Sequence, residues 1–510
     1  MKRPRLRRGI GVLSLFVVLL LLFTQVAAAA DSNRALIQQF AELGDRSTGT
    51  PGCGKAADLI AQGFKDLGIE RVGRQRFLLP VTQYQSASLT VKGHRAPIKP
   101  LRLNALSPQT TPASGLTGRL YYVRSGQLHN FNDMKVEGSI ILMELDSGKN
   151  WLNAATLGAK ALIYVDRGPT TKWNFKDKHE LTSVEFPRFW MPVSQVRTLF
   201  GSFEDAAGGL VAPGLLLTSS GGWRRVQGEN IYALIKGKDA ALKEQLLVVE
   251  AFYDSTALVP GLSPGADEAT SIVALLDLAR RLRDHPPGRS VLLMATSGHA
   301  QGLAGMREFI WPLAARSKER KNLRRELKAR IKRAEEALAA LESPVVFEQL
   351  DETSAERLRE ALAEVIKREV ETLSQTLMQL RLEKQADDKQ ALIRKLADRR
   401  FLLRQLGWRG SYQDVTLEEQ RVLKDLIPAA IRGNQAVLDD AREQLKCLTS
   451  ARRLRGLFSD YELTVFISLH LSSHGDGVGG FNYGWLYDLK PQVNRTSTYA
   501  TIDRILNRCS

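Results

Sequence analysis

The stretch QLLVVEAFYDS, residues 245–255, decides the fold. Its apolar run, Gln245–Ala251, passes directly into Phe252, Tyr253, Asp254 and Ser255. A run this apolar has no face to offer solvent, so it reads as a strand covered on both sides, the usual condition of a parallel sheet. After a loop of Pro, Gly and Ser, a helix is expected over Glu268–Leu282, with Ile272, Leu275, Leu276 and Ala279 on its inner face. A second buried strand follows at Ser290–Thr296, a third precedes at Asn230–Ile235, and a fourth lies far downstream at Leu463–Leu469. Strands of this kind alternating with helices define an α/β sheet with helices on both faces. In such sheets functional side chains gather where strands end. Three ends carry polar residues: Asp254 with Ser255, Ser297-Gly298-His299, and His470 with His474.

Upstream, Ala35–Leu43 and Lys55–Leu67 have helical periodicity, and the turn 45–52, DRSTGTPG, separates them. From 84 to 222 the texture is short strands punctuated by Gly and Pro: Ser88–Val91, Gly118–Val123, Gly138–Glu144 and Ala161–Val165, with a short helix at Trp151–Leu157. After Pro312 glycine nearly vanishes, and Lys, Arg, Glu, Leu and Ala dominate to about Leu457. Leu323, Leu327, Ile331, Ala334, Leu338 and Leu341 recur at helical steps, as do Leu358, Leu362, Val365, Leu373, Leu377 and Leu380. Breaks at 343–344 and 407–410 make this block several long helices folded back as a coiled-coil-like hairpin or bundle. Such an insertion is either a projecting arm, about 40 Å long, that docks a partner or a second copy, or a bundle satisfied within itself.

The chain has 510 residues and a formal charge of +17. That excess invites a nucleic-acid reading, but acidic residues are interspersed throughout the helical block, so a solvated charged surface is expected and no nucleic-acid partner. Five further basic residues, Lys2 to Arg8, precede the apolar run 9–26 and the alanines 27–30, the layout of an export signal. Cleavage near 28–30 would lower the charge to +12; an uncleaved segment would anchor the chain to the membrane, its only expected membrane contact. Either way the body is expected in the periplasm or outside the cell. Three scattered cysteines, Cys53, Cys447 and Cys509, exclude a disulfide framework and a Cys-based zinc site. No phosphate-binding Gly loop with its Lys and no Gly-x-Ser-x-Gly elbow is present.

The segments AFYDS (251–255), PGADEATS (264–271), LLDLAR (275–280) and SGHAQGLAG (297–305) resemble, in order and spacing, the core of metallopeptidase family twenty-eight, the di-zinc aminopeptidases related to glutamate carboxypeptidase. Residues 44–78 look like that family's lead-in, and 115–168 are similar to the protease-associated domain inserted in its exported members. The resemblance covers about half the chain. It implies a peptidase-like fold in parts 31–83, 223–313 and 458–510, with a protease-associated β domain at 84–222 and a helical insertion at 314–457.

The resemblance also implies site positions, and most have changed. Phe252 stands where the family's first His ligand precedes an Asp, here Asp254; a phenyl ring cannot bind zinc. The bridging carboxylate falls at Glu268, the general base and metal-binding acid fall at His299 and Ala300, and a further Asp corresponds to His470. No downstream His corresponds to the last ligand before Ser510. A di-metal hydrolase needs two cations roughly 3.5–4 Å apart, each with several protein donors, and that set is not complete. The expected protein is therefore a catalytically degenerate aminopeptidase homologue that binds a peptide or protein. The open alternative is an atypical mono-metal peptidase or amidase, with zinc on Glu268 and His470, His299 as ligand or base, and Asp254 orienting the site. His474 reads as a turn residue beside Gly475-Asp476-Gly477, and a Cys509–His474 nucleophile pair is not supported by any local group that would activate the thiol. His94, His129, His179 and His285 read as surface residues.

Overall fold

The computed structural model describes residues 32–471, apart from 105–106, 171, 179–183, 204–208, 257, 263–264, 343–344 and 383–388. The expectations for the export segment, His179, His474 and the tail to Ser510 lie outside the described residues. The chain forms two units: one contains the chain up to Gly73, Leu79–Gly305 and the part from Tyr461 onward, and the other contains Arg74–Leu78 and Met306–Asp460.

The first unit is mixed α/β. Its helices are α1 (32–42), α2 (Pro51–Asp66), α3 (Trp151–Thr156), α4 (Val193–Phe200) and α5 (Ala269–Asp284). Its strands are β1 (Arg71–Val91), β2 (His94–Pro97), β3 (Lys99–Pro100), β4 (Leu116–Tyr122), β5 (Ile140–Glu144), β6 (Ala161–Asp166), β7 (Arg188–Pro192), β8 (Leu210–Ile235), β9 (Gln245–Phe252), β10 (Ser290–Thr296) and β11 (Glu462–Leu469). They form one sheet in the order β11-β9-β10-β8-β4-β5-β6-β7-β3, with β1 joined to β8 and to β2. Strands β11, β9 and β10 are parallel, so their carboxyl ends share one edge. Strand β8 is antiparallel to β10 through 231–235 and to β4 through 210–217. The boundaries expected at 83/84 and 222/223 fall inside β1 and β8. Strand β8 runs unbroken through Gly221-Gly222, and close approach of the Gln83 carbonyl leaves no room for a side chain at Gly221.

Helix α2 starts at Pro51, four residues before its expected start. The Thr50 hydroxyl accepts from Cys53 N–H, and proline suits the first turn because that position has no intrahelical donor bond to lose. Its buried face, Ala57, Ile60, Ala61 and Phe64, packs with Ile272, Leu275 and Ala279 of α5 over Ile231, Val249 and Leu293 of the sheet. A buried carboxyl interrupts the apolar run of β9: Glu250 meets the hydroxyls of Thr296 on β10 and Ser468 on β11. Burial pushes its titration upward.

The second unit is helical. It holds most of α6 (Ala304–Ala314), then α7 (Ser317–Glu342), α8 (Glu352–Leu382), α9 (Gln390–Trp408) and α10 (Leu417–Leu457). The last is 41 residues, about 60 Å at 1.5 Å per residue. Helix α7 runs antiparallel to α10, with Arg330 3.2 Å from Asp440, and α8 packs against α7, α9 and α10. Within this unit the described helices pack on one another. Its core joins Leu358, Leu362 and Ile366 to Leu403, Leu406, Leu423 and Leu426. The Thr416–Glu419 capping box starts α10, and Arg409 grips the Glu419 carboxylate at 2.7 and 2.9 Å. Leu362 is fully buried, so Leu362→Ala is expected to destabilise this unit by about 2–5 kcal/mol, read from denaturant titration of the full chain by circular dichroism. A change below about 1 kcal/mol would mean that the site collapses around the lost side chain.

Candidate functional site

The carboxyl ends of β9, β10 and β11 bring the expected site residues to one place. Asp254, 1% exposed, lies two residues past β9. Its Oδ2 accepts from Thr48 Oγ1 at 2.6 Å, Gly298 N at 3.0 Å and His299 N at 3.2 Å. The bend at Gly298, with φ of +76°, turns these two amides toward the carboxylate; a Cβ there would fall 2.8 Å from that of Ala304. Among the described residues Asp254 Oδ1 has no hydrogen-bond partner. Burial raises the Asp254 titration to about 7, and the nearby Glu268 charge adds to the rise, against the downward pull of its donors.

Thr48 belongs to the turn between α1 and α2, which sequence reading treats only as a connection. The adjacent Arg46 is wholly buried. It donates to the carbonyls of Phe40, Tyr253 and Gly265, while its own carbonyl accepts from Ser255 N. Desolvation lowers its titration, and Glu268 and Asp254 oppose that shift. Glu268, just before α5, holds Thr256 through both the backbone amide and the hydroxyl. A Cβ on Gly265 would come within 2.9 Å of Glu268 Oε2 and 2.7 Å of Ser255, so a side chain there would break the cradle around these groups.

His299 lies flat on Phe252, with ring centroids 3.9 Å apart and planes within 19°. His470 approaches both edge-on, 5.2 Å from Phe252 and 5.3 Å from His299. The three aromatic rings therefore form one cluster, whereas Asp254 and Glu268 are engaged by Thr48, Thr256 and backbone amides. Among the described residues no three His, Cys, Asp or Glu side chains form a group that could hold a metal ion. Among the described residues the donors at this edge do not complete a two-zinc set, and Phe252 and Ala300 supply none. Beside the cluster is a cavity of about 250 Å³ whose lining includes Thr48, Thr82, Arg102, Asn104, Thr256 and His299. Arg102 Nη1 reaches Ser47 Oγ at 3.3 Å, and its buried Nε has no acceptor among the described residues. Sequence reading missed Arg46, Thr48 and Arg102. Only the resemblance of 44–78 to a family lead-in points near the first two.

The sequence profile of Peptidase family M28 matches residues 230–397. Among solved structures, the chain is similar to a zinc aminopeptidase from Bacillus subtilis, at 24% identity and a TM-score of 0.40, covering 57% of this chain and 66% of that one. An aminopeptidase from Aneurinibacillus sp. strain AM-1 is 19% identical, with a TM-score of 0.34 over 57% and 68% of the two chains. A Peptidase M28 precursor from Shewanella amazonensis SB2B is 18% identical, with a TM-score of 0.35 over 55% and 70%. The chain thus spans just under two thirds of the Bacillus protein. No curated protein matches the chain.

The Asp254 titration has a measurable consequence. An ordinary aspartate titrates near 4, so between that pH and about 7 the folded chain holds a proton that the unfolded chain has released. Stability contributed by this group falls as pH rises through that window, and the full cost is present above about 7. Asp254→Asn removes the titration. The melting temperature of the variant relative to wild type is expected to rise by several degrees between about pH 5 and pH 8. A difference independent of pH would contradict the raised titration.

Proposed function

We propose that this protein is an exported peptidase-family-M28-like protein that binds a peptide or protein and has lost metal-dependent hydrolysis. One observation carries the reading: Phe252 stacks on His299 where the sequence resemblance places a metal ligand and the general base. A metal-activated water needs a cation with an open position and several fixed donors. At this edge the carboxylates serve structure instead, Asp254 tying the lead-in turn to β10 and Glu268 holding Thr256.

Binding fits the groups that remain. Peptides offer carbonyls and a carboxylate, and the Arg102 Nε–H supplies a donor at the cavity wall. The 250 Å³ cavity is of a size for one or two residues of a peptide, with Thr48, Thr82, Asn104 and Thr256 as further polar contacts. The N-terminal pattern supports export, with the cell envelope as the setting and membrane contact only through an uncleaved N-terminal segment. The helical unit supports a second role as a surface for a partner or another copy.

The competing reading, a mono-metal peptidase or amidase using Glu268, His470 and His299, rests on the closeness of the two imidazole rings. Two assays on the purified full chain separate them. Short peptides are expected to bind by calorimetry, and Arg102→Ala is expected to weaken that binding about tenfold. Aminoacyl nitroanilides are expected to show no turnover that chelator removes. Chelator-sensitive turnover lost in His470→Ala would establish the enzyme, and absence of peptide binding would sink the binding role.

A further inference from the structure

The helical unit carries a cavity that the reading above does not use. It measures about 590 Å³, within the range of small-ligand pockets, and is lined by Arg74, Arg76, Arg442, Lys446 and Arg453 together with Leu445, Thr449 and Ser450. No lining residue is acidic. The pocket is fixed in place: Ser450 Oγ accepts from Arg76 N at 2.9 Å and approaches Arg76 O at 3.3 Å, pinning the 74–78 segment onto α10. The hydroxyls are spent on the backbone, Thr449 on Leu445 O and Ser450 on Cys447 O, so the cationic heads are the recognition groups. Carboxylates outside the lining engage two of them, Glu335 with Arg442 at 2.8 Å and Glu443 with Lys446 at 2.6 Å. The exposed Arg453 takes part in none of the ion pairs among the described residues.

A second cavity, about 470 Å³, shares the Leu445 and Thr449 wall and is lined by five more cations and again no acid. Two of those five, Arg320 and Arg455, both donate to Pro312 O, which brings like charges together. Burial lowers the Arg320 titration, and Arg455 lowers it further. The stretch Ser317–Arg330 of α7 carries seven basic residues against two acidic, whereas α8 is nearly balanced, so the positive charge is concentrated at this end of the bundle. A helix C-terminus favours cations in its last turn, but Arg442 and Lys446 lie three to four turns before Leu457, and Arg74 and Arg76 come from another segment. Helix polarity therefore does not account for the convergence of these four side chains on one cavity.

We infer that the Arg74–Arg76–Arg442–Lys446–Arg453 cavity is a binding site for a phosphorylated anion carrying more than one negative charge. Guanidinium groups match phosphate oxygens in a two-point fork, and a converging set of them is stable in company with the anion they surround. The chemistry is the same for a soluble diphosphate and for a phospholipid headgroup, and the test distinguishes those sources.

The full chain is titrated with sodium pyrophosphate by calorimetry at low salt and, separately, sedimented with phosphatidylcholine vesicles containing or lacking phosphatidylglycerol. Pyrophosphate binding without vesicle binding assigns a soluble ligand; sedimentation only with the anionic vesicles assigns a headgroup. Either supports the site. Arg453→Glu is expected to weaken whichever interaction is seen by about tenfold. Arg368→Glu, the same charge change on exposed α8, is expected to stay within about twofold. Arg74→Gln, with its melt compared to wild type, gives a second pocket variant without charge reversal. Failure of both probes to bind, or an equal loss in Arg368→Glu, overturns the proposal.

Discussion

A single buried carboxylate organises the strand ends. Asp254 Oδ2 gathers a hydroxyl from the turn before α2 and two amides from the bend after β10, residues more than 40 and more than 200 positions apart in sequence. Taking a carboxyl out of water is costly, and three donors on one oxygen offset only part of that cost, since its titration remains raised to about 7. Arg46 completes the arrangement from the other side, satisfying the carbonyls of Phe40, Tyr253 and Gly265 within the same buried volume. Geometry at this edge is therefore fixed before any ligand is considered. The Phe252–His299 stack sits on a backbone that Asp254 already holds.

Under the proposed reading, that constraint lets the scaffold keep its shape while the side chains at its edge change. The polar contacts that position the strand ends come from Thr48, Thr256 and backbone groups. None of those contacts involves the side chains of Phe252 or Ala300, and the Phe252 ring has a stacked partner in His299. Under the proposed reading, the cavity beside the stack is reused for a peptide, with Arg102 as its cationic contact. The helical unit is stabilised by its own apolar core and by the Arg409–Glu419 grip, and it concentrates positive charge where α7 begins and α10 ends.

Much of this was legible in the sequence because it is local or periodic. The apolar runs at 245–251 and 290–296 have no polar face, and the structure places both as adjacent buried strands. The polar strand ends brought Asp254, His299 and His470 into one reading, the family resemblance added Glu268, and the rings of His299 and His470 do meet. The contributions of Arg46, Thr48 and Arg102 were hidden, since each depends on partners remote in sequence, and DRSTGTPG reads as an ordinary turn. Glu250 escaped notice because its satisfying hydroxyls come from two other strands. The continuity of β8 through Gly221-Gly222 was hidden, since the close approach of the Gln83 carbonyl to Gly221 is a tertiary fact. In the helical block, periodicity gave the helices, but the convergence of Arg74 and Arg76 with α10 is a tertiary fact.

The central claim is that the donors at the strand ends do not make a zinc centre. Equilibrium dialysis of the full chain against zinc, with bound metal quantified by mass spectrometry and the Phe252→His and Ala300→Glu double variant in parallel, tests it most directly. The account predicts no tight zinc on the natural chain and a gain of zinc binding in the variant. Tightly held zinc on the natural chain, one ion or two, would contradict it.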